Sequence, residues 1–338
     1  MTAPLTIAPS PHVTGSASVD RIMVRVALAL LPAVGVALWQ FGLAALATLV
    51  VAVAACLAAE AALAPAGDRL RRLGDGSVLV TGLLYGMVLP PALPLWMNAL
   101  GAVFGVGVGK ALFGGLGANP FNPALVGRAF LQAAFPAAMT SWTLPGLAER
   151  FSQLPETLTV GPFLAPALDG WTGATPLAAW KFDGEATPLA ELAIGTVAGS
   201  TGETGALALL AGGLWLAAVR VIDWRIPVAI LAVTGGVAAL FHALDPVRWP
   251  DAAFTVTSGG LLLGAWFMAT DPVASPATRG GRWLYGALIG VLVIAIRFAG
   301  GLPEGVMYAI LFANAVGPHL DRLVQPRPYG AVGTRMRP

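Results

Sequence analysis

Charge is scarce in this chain and cysteine nearly absent. Only 11% of its 338 residues are charged, against about 25% in a soluble domain. The one cysteine, Cys56, rules out an intramolecular disulfide. It also rules out an iron–sulfur cluster ligated by cysteines of one chain. Cys56 lies inside an apolar run, and two readings stand for it: a small packing residue, or a ligand of a cluster shared across a symmetric subunit interface. His12, His242 and His319 are scattered and have no metal-binding spacing. No Gly-x-Gly-x-x-Gly run opens a βαβ unit, so a dinucleotide has no recognisable seat. A net charge of +2 gives no basic surface for nucleic acid. Met1 to Asp20 lacks a basic start followed directly by an apolar core and a small-residue cleavage site, so no cleaved signal peptide is expected.

What the chain has instead is apolar length. It is 57% hydrophobic, with mean hydropathy +0.78. Apolar runs fall at about 22–39, 42–63, 78–95, 97–114 and 122–139, and again at about 205–220, 226–243, 253–270, 283–299 and 303–320. The expectation is an all-α polytopic membrane protein with about ten transmembrane helices. It forms a single membrane domain, with one repeat at about 22–139, a polar loop at about 140–204 and a second repeat at about 205–320. With both termini inside, the cytoplasmic segments hold Arg21, Arg25, Arg69, Arg71, Arg72, Lys110, Arg220, Arg225, Arg279, Arg282, Arg322, Arg327, Arg335 and Arg337. The outer side holds only Arg150, Lys181, Arg248 and Arg297, and Arg128 falls within a span. This asymmetry predicts cytoplasmic termini and an outer, periplasmic loop.

The two halves resemble each other weakly. Gly82-Leu-Leu-Tyr-Gly86 before Leu89-Pro-Pro-Ala-Leu-Pro94 parallels Gly260-Leu-Leu-Leu-Gly264 before Thr270-Asp-Pro-Val-Ala-Ser-Pro276. Five spans per repeat is an odd number, so the second repeat is expected to be inverted, with broken helices at matching depths. The competing reading is chance, because Gly, Leu and Pro are abundant.

Polar groups in apolar surroundings mark the candidate sites. Gly114 to Pro123 reads as a backbone loop with Asn119 and Asn122 three residues apart. Two readings stand: a loop that satisfies its own backbone, or two amides that serve the polar edge of a ring, with Phe121 packed beside it. Asp271 ends the eighth span. It either balances Arg279, Arg282, Lys110 or Arg128 as a structural ion pair, or joins Lys110 on an ion path. Glu60 and Glu304 are further candidates near a membrane face. In the polar loop, Asp169-Gly-Trp-Thr-Gly-Ala-Thr175 precedes Pro176. Gly173 and Ala174 leave the Thr175 hydroxyl open to a large partner, and Pro176 fixes the backbone after it. On local chemistry alone this is equally an ordinary surface turn.

Taken together, these stretches resemble one family. Asp169, Thr172, Gly173, Ala174 and Thr175 resemble the signal at which a flavin transferase esterifies FMN, through its phosphate, to the final threonine. The D component of the Rnf electron-transport complex carries this signal, as does its relative, the B component of the sodium-pumping NADH:quinone oxidoreductase. Ser10-Pro-His12, Gly82–Gly86, Gly109-Lys110, Phe113–Phe130, Phe135–Trp142 and Phe267–Pro276 are similar to the same family, in its order. The resemblance implies a urea-transporter-like arrangement in the bacterial inner membrane and covalent FMN on Thr175. It also implies non-covalent riboflavin at the cytoplasmic side near Asn119 and Asn122. The implied reaction is electron exchange between NADH and ferredoxin coupled to Na⁺ or H⁺ movement, shared with the A, B, C, E and G components of the Rnf complex. About twenty residues precede the first span, which favours the Rnf component over its quinone-reducing relative. A urea-transporter-like channel without redox role is the alternative from another class.

Overall fold

The computed structural model describes residues 18–65, 67–162, 164 and 172–325. Ser10–His12 and Asp169 lie outside the described residues. The chain is mostly helical, and helix falls at every one of the ten apolar runs. The first half holds α1 (Val19–Phe41), α2 (Leu43–Leu63), the short α3 (Arg69–Gly74), α4 (Ser77–Met87), α5 (Leu95–Gly109), α6 (Pro123–Ala134) and α7 (Pro136–Met139). Next comes a cap of short elements: β1 (Trp142–Thr143), β2 (Thr172–Gly173), α8 (Pro176–Ala178), which widens into a π-turn over Ala179–Asp183, and α9 (Leu189–Ile194). The second half holds α10 (Ala206–Ala218), α11 (Arg225–Leu244), α12 (Ala252–Thr257), α13 (Leu261–Leu263), a π-turn over Gly264–Met268, α14 (Arg279–Ala299) and α15 (Val306–Leu323). Among the described residues, five helices are long and apolar enough to cross a membrane: α1, α2, α5 with its 3₁₀ extension to Phe113, α11 and α14. They fit a multi-pass membrane protein.

The other apolar runs are shorter or broken, each for a local reason. The third expected span stays helical only to Met87, because Pro90, Pro91 and Pro94 cannot continue the ladder. The fifth breaks at Phe135, ahead of Pro136. The eighth is interrupted over Ser258–Gly260 and stops again before Asp271-Pro272. Backbone freed inside a membrane protein must find partners within the protein. Thr48 Oγ1 donates to Pro91 O at 2.9 Å, and Thr201 Oγ1 donates to Leu89 O at 2.8 Å. Gly202 N donates to Met87 O at 2.7 Å. In the second half charge does this work: Arg297, fully buried, donates to Thr255 O and Ser258 O.

Helix packing follows a matched plan in the two halves. α2 packs on α4 and α5, and α5 on α6; α11 packs on α12 and α14, and α14 on α15. Between the halves, α1 meets α10 and α6 meets α15. Small residues set the close approaches, as expected where lipid leaves packing rather than hydrophobicity to join helices. A Cβ at Gly105 on α5 would run into Pro123 O on α6, and one at Gly286 on α14 into Ile226 O on α11.

Two polar anchors tie the cap to the helices. At the C-terminal end of α1, Gly146 N donates to Gln40 O, and Arg150 Nε donates to Trp39 O at 2.7 Å. At the C-terminal end of α14, Lys181 Nζ donates to the carbonyls of Arg297, Gly300 and Leu302. Burial pulls the Lys181 ammonium below its ordinary value. In the turn between α10 and α11, Asp223 pairs with both Arg225 and Arg282. Burial raises its carboxyl, but the Arg225 N–H and the Arg282 guanidinium outweigh that and hold it below the usual range.

Candidate functional site

Five of the predicted site residues, Thr175, Lys110, Asn119, Asn122 and Asp271, line two cavities. The first holds about 840 Å³ of space between protein atoms, part of it open to solvent. Thr175 lies on its wall with Arg128, Glu203, Glu304 and Tyr308, and Trp142, Leu177, Leu192, Val197 and Met307 supply apolar surface. Local structure explains how Thr175 is presented. Thr172 and Gly173 form β2, paired antiparallel with Thr143 and Trp142, so the turn is fastened just before the hydroxyl. Thr175 then caps α8: its backbone is extended and its Oγ1 accepts from Ala178 N at 3.2 Å. Pro176 stands at the first helical position, where a missing N–H costs nothing. Thr172 and Ala174 are exposed, Gly173 and Thr175 half-buried.

The floor of this cavity is charged and largely buried. Arg128 Nη1 donates to Glu203 Oε1 at 2.8 Å, with each side chain 8% exposed. Arg297 pairs with Glu304 at 3.0 Å, and Glu304 Oε2 accepts from Gly260 N at 2.9 Å. Both carboxylates rest against the bare backbone at the interruption between α12 and α13. A Cβ at Gly259 would strike Glu304, and one at Gly260 would strike Glu203. The sequence left Arg128 either to snorkel or to pair with Asp271; the structure pairs it with Glu203, which had not been singled out. No spacing rule links positions 128 and 203. The available signal was Glu203 itself, a lone carboxylate just before an apolar run.

The second cavity holds about 740 Å³ and brings together Lys110, Asn119, Asn122 and Asp271. Ile22, Met23 and Val26 of α1 line it, whereas the Thr175 cap is bonded to the opposite end of that helix. Twenty-three residues of helix put about 34 Å between the two ends. The two amides differ in what they have left to offer. Asn122 caps α6, its Oδ1 accepting from Ala124 N and Leu125 N, and its Nδ2 reaches Met268 O at 3.5 Å. Asn119 Nδ2 donates to Phe121 O at 3.2 Å, while its buried Oδ1 has no partner. Trp266 Nε1, also buried on this cavity, is likewise without a partner. Trp266 was missed because the many tryptophans of the sequence fit interfacial belts equally well.

Two expected ion pairs are corrected. Lys110 does not balance Asp271. It is buried to 2% against Glu60, 3.1 Å away, and donates to Ser77 Oγ at 2.9 Å. Arg282 goes to Asp223. Among the described residues, no ion pair joins Asp271 to a basic side chain. Its Oδ1 instead accepts from Val273 N at 2.9 Å, closing the turn at the break. Asp271 and Lys110 still face the same cavity.

Broken membrane helices around two cavities, one carrying a capped threonine and the other orphaned polar groups, define a polytopic membrane protein. The chain belongs to the NQR2, RnfD, RnfE family, whose model matches residues 6–330. It is 43% identical to the D subunit of an ion-translocating oxidoreductase complex from Stutzerimonas stutzeri, over 93% of this chain and 92% of that protein. It is 41% identical to the protein of the same description from Alcanivorax borkumensis, over 95% of both chains. It is 36% identical to the D subunit of a proton-translocating ferredoxin:NAD(+) oxidoreductase complex from Clostridium ljungdahlii, over 96% of both.

Proposed function

We propose that this chain is the flavin-carrying membrane subunit of an Rnf-type ion-translocating oxidoreductase, with FMN joined through its phosphate to Thr175. One observation carries the reading: Thr175 is half-buried at the wall of a mostly apolar cavity instead of on an open loop. A flavin there would supply one-electron chemistry at the outer face. Thr175 supplies the ester oxygen. Esterification removes its O–H donor but leaves Oγ1 as an acceptor for Ala178 N, so the cap survives loading. Leu177, Leu192 and Met307 keep water from the buried face. Thr172, Gly173 and Ala174 stay accessible to a flavin transferase, and Asp169 completes its recognition signal.

The second cavity suits riboflavin. Asn119 Oδ1 and Trp266 Nε1 offer one acceptor and one donor to a ring edge, and Asn122 holds α6 in place beside it. About ten spans in two inverted repeats, urea-transporter-like and with cytoplasmic termini, accommodate both cavities. The matched packing of α2, α4, α5 and α6 with α11, α12, α14 and α15 supports that plan. Two cavities on opposite sides of about 30 Å of hydrocarbon require a carrier between them on another subunit. The nicotinamide and ferredoxin chemistry likewise belongs to partner subunits, of the A, B, C, E and G kinds. Relatives described as D subunits of oxidoreductase complexes favour this reading over the B component of the quinone-reducing relative and over a plain channel.

The test is co-expression with the transferase, followed by a denaturing gel viewed under ultraviolet light. The wild-type band fluoresces, Thr175→Ala is dark, Thr172→Ser fluoresces and Asp169→Ala is dimmed. A dark wild type returns the chain to the channel reading, and a fluorescent Thr175→Ala moves the attachment elsewhere.

A further inference from the structure

Among the described residues, Arg128 is the one cation on the wall of the Thr175 cavity. Its side chain is 8% exposed, and Nη1 is taken by Glu203 at 2.8 Å. Its Nε, equally buried, has no partner. A buried guanidinium with an idle N–H is incompletely satisfied and calls for an acceptor in the same space. Two carboxylates share the wall, Glu203 directly against Arg128 and Glu304 beyond it. Glu304 is already matched by Arg297 and by Gly260 N. The Arg128–Glu203 pair is therefore a local dipole, positive towards the idle N–H, built into the cavity wall.

We propose that this pair sets the reduction potential of the flavin on Thr175, with Arg128 as a positioning residue that donates its free N–H to the ring. The inference rests on the reading of Thr175 given above. Each electron that a one-electron carrier delivers without a proton adds one negative charge inside the cavity. A fixed guanidinium stabilises that charge, and a fixed carboxylate opposes it. Arg128 and Glu203 are themselves buried, so neither effect is screened as it would be on a surface. The two partners of one ion pair therefore act on the potential with opposite signs. A purely structural ion pair has no such signature, because losing either partner disturbs the site in the same way.

The experiment uses the whole complex, purified after co-expression with the transferase and titrated with dithionite and mediators while flavin absorbance is followed. The component absent in Thr175→Ala identifies this flavin. Gel fluorescence first establishes that each variant is loaded. Arg128→Gln is expected to lower the midpoint potential and Glu203→Gln to raise it. Arg128→Lys keeps the charge and shifts the potential less than Arg128→Gln. The double Arg128→Gln/Glu203→Gln variant leaves no lone buried charge, so it assembles even where a single variant does not. Its potential is expected below wild type but above Arg128→Gln, because the guanidinium N–H is lost while the charges cancel. Shifts of the same sign in both single variants overturn the proposal, as does a loaded double variant at the wild-type potential. Reduced loading with an unmoved potential also overturns it and assigns Arg128 to the phosphate. A wild type without fluorescence fails the Thr175 reading instead, which keeps the two failures apart.

Discussion

At the scale of single residues, burial decides what each polar group is free to do. Lys110 and Glu60 are 2% and 3% exposed and hold each other at 3.1 Å. Removing one of them strands the other in a dry site. Glu60→Ala or Lys110→Ala should therefore destabilise the purified protein by about 3–5 kcal/mol, whereas Glu60→Met with Lys110→Met should recover most of that loss. Thermal unfolding in detergent checks both. The asparagines of the second cavity separate in the same way. Asn119→Ala should lower bound riboflavin severalfold with little effect on folding. Asn122→Ala should cost about 1 kcal/mol of stability, because it uncaps α6. Equal riboflavin loss without destabilisation in Asn122→Ala would contradict that division of labour. Asp223 reports on pH. Its carboxyl is held below its ordinary value in the fold, so its contribution is complete above the unfolded value of about 3.9 and disappears as pH falls through the folded one. The melting-temperature gap between wild type and Asp223→Asn should thus be constant near neutrality and close only in acid. A gap that widened in acid would reverse the sign.

At the scale of elements, the sequence spoke clearly wherever a rule was local. Proline chemistry located the breaks after Met87 and before Asp271, because a missing N–H acts on its own helix. Asn122-Pro123 was equally legible as an N-cap followed by a first-turn proline. For Asn122 Oδ1 the structure realises the reading of a loop that satisfies its own backbone. The interruption over Ser258–Gly260 was not foreseen, since glycine pairs are common in membrane helices and this one takes its partners from the distant Arg297 and Glu304. The Thr175 turn was visible as a motif, but its floor was not. That floor joins Arg128 of α6, Glu203 ahead of α10 and Glu304 ahead of α15, and such long-range meetings leave no periodicity in the chain.

At the scale of the whole molecule, the distribution of basic residues predicts the orientation, and with it the side on which the cap lies. A reporter fused after Arg72 should read as cytoplasmic, and one inserted near Asp183 as periplasmic. Both on one side would overturn the ten-span plan. Lys181 adds a mechanical consequence. Its ammonium grips three carbonyls at the end of α14, and it sits within the π-turn that follows Thr175. A carrier mounted at Thr175 would thus be a fixed electrode and not a swinging arm. Its hand-off rate would depend on how closely a neighbouring subunit docks, and loosening Lys181 would blur the tunnelling distance.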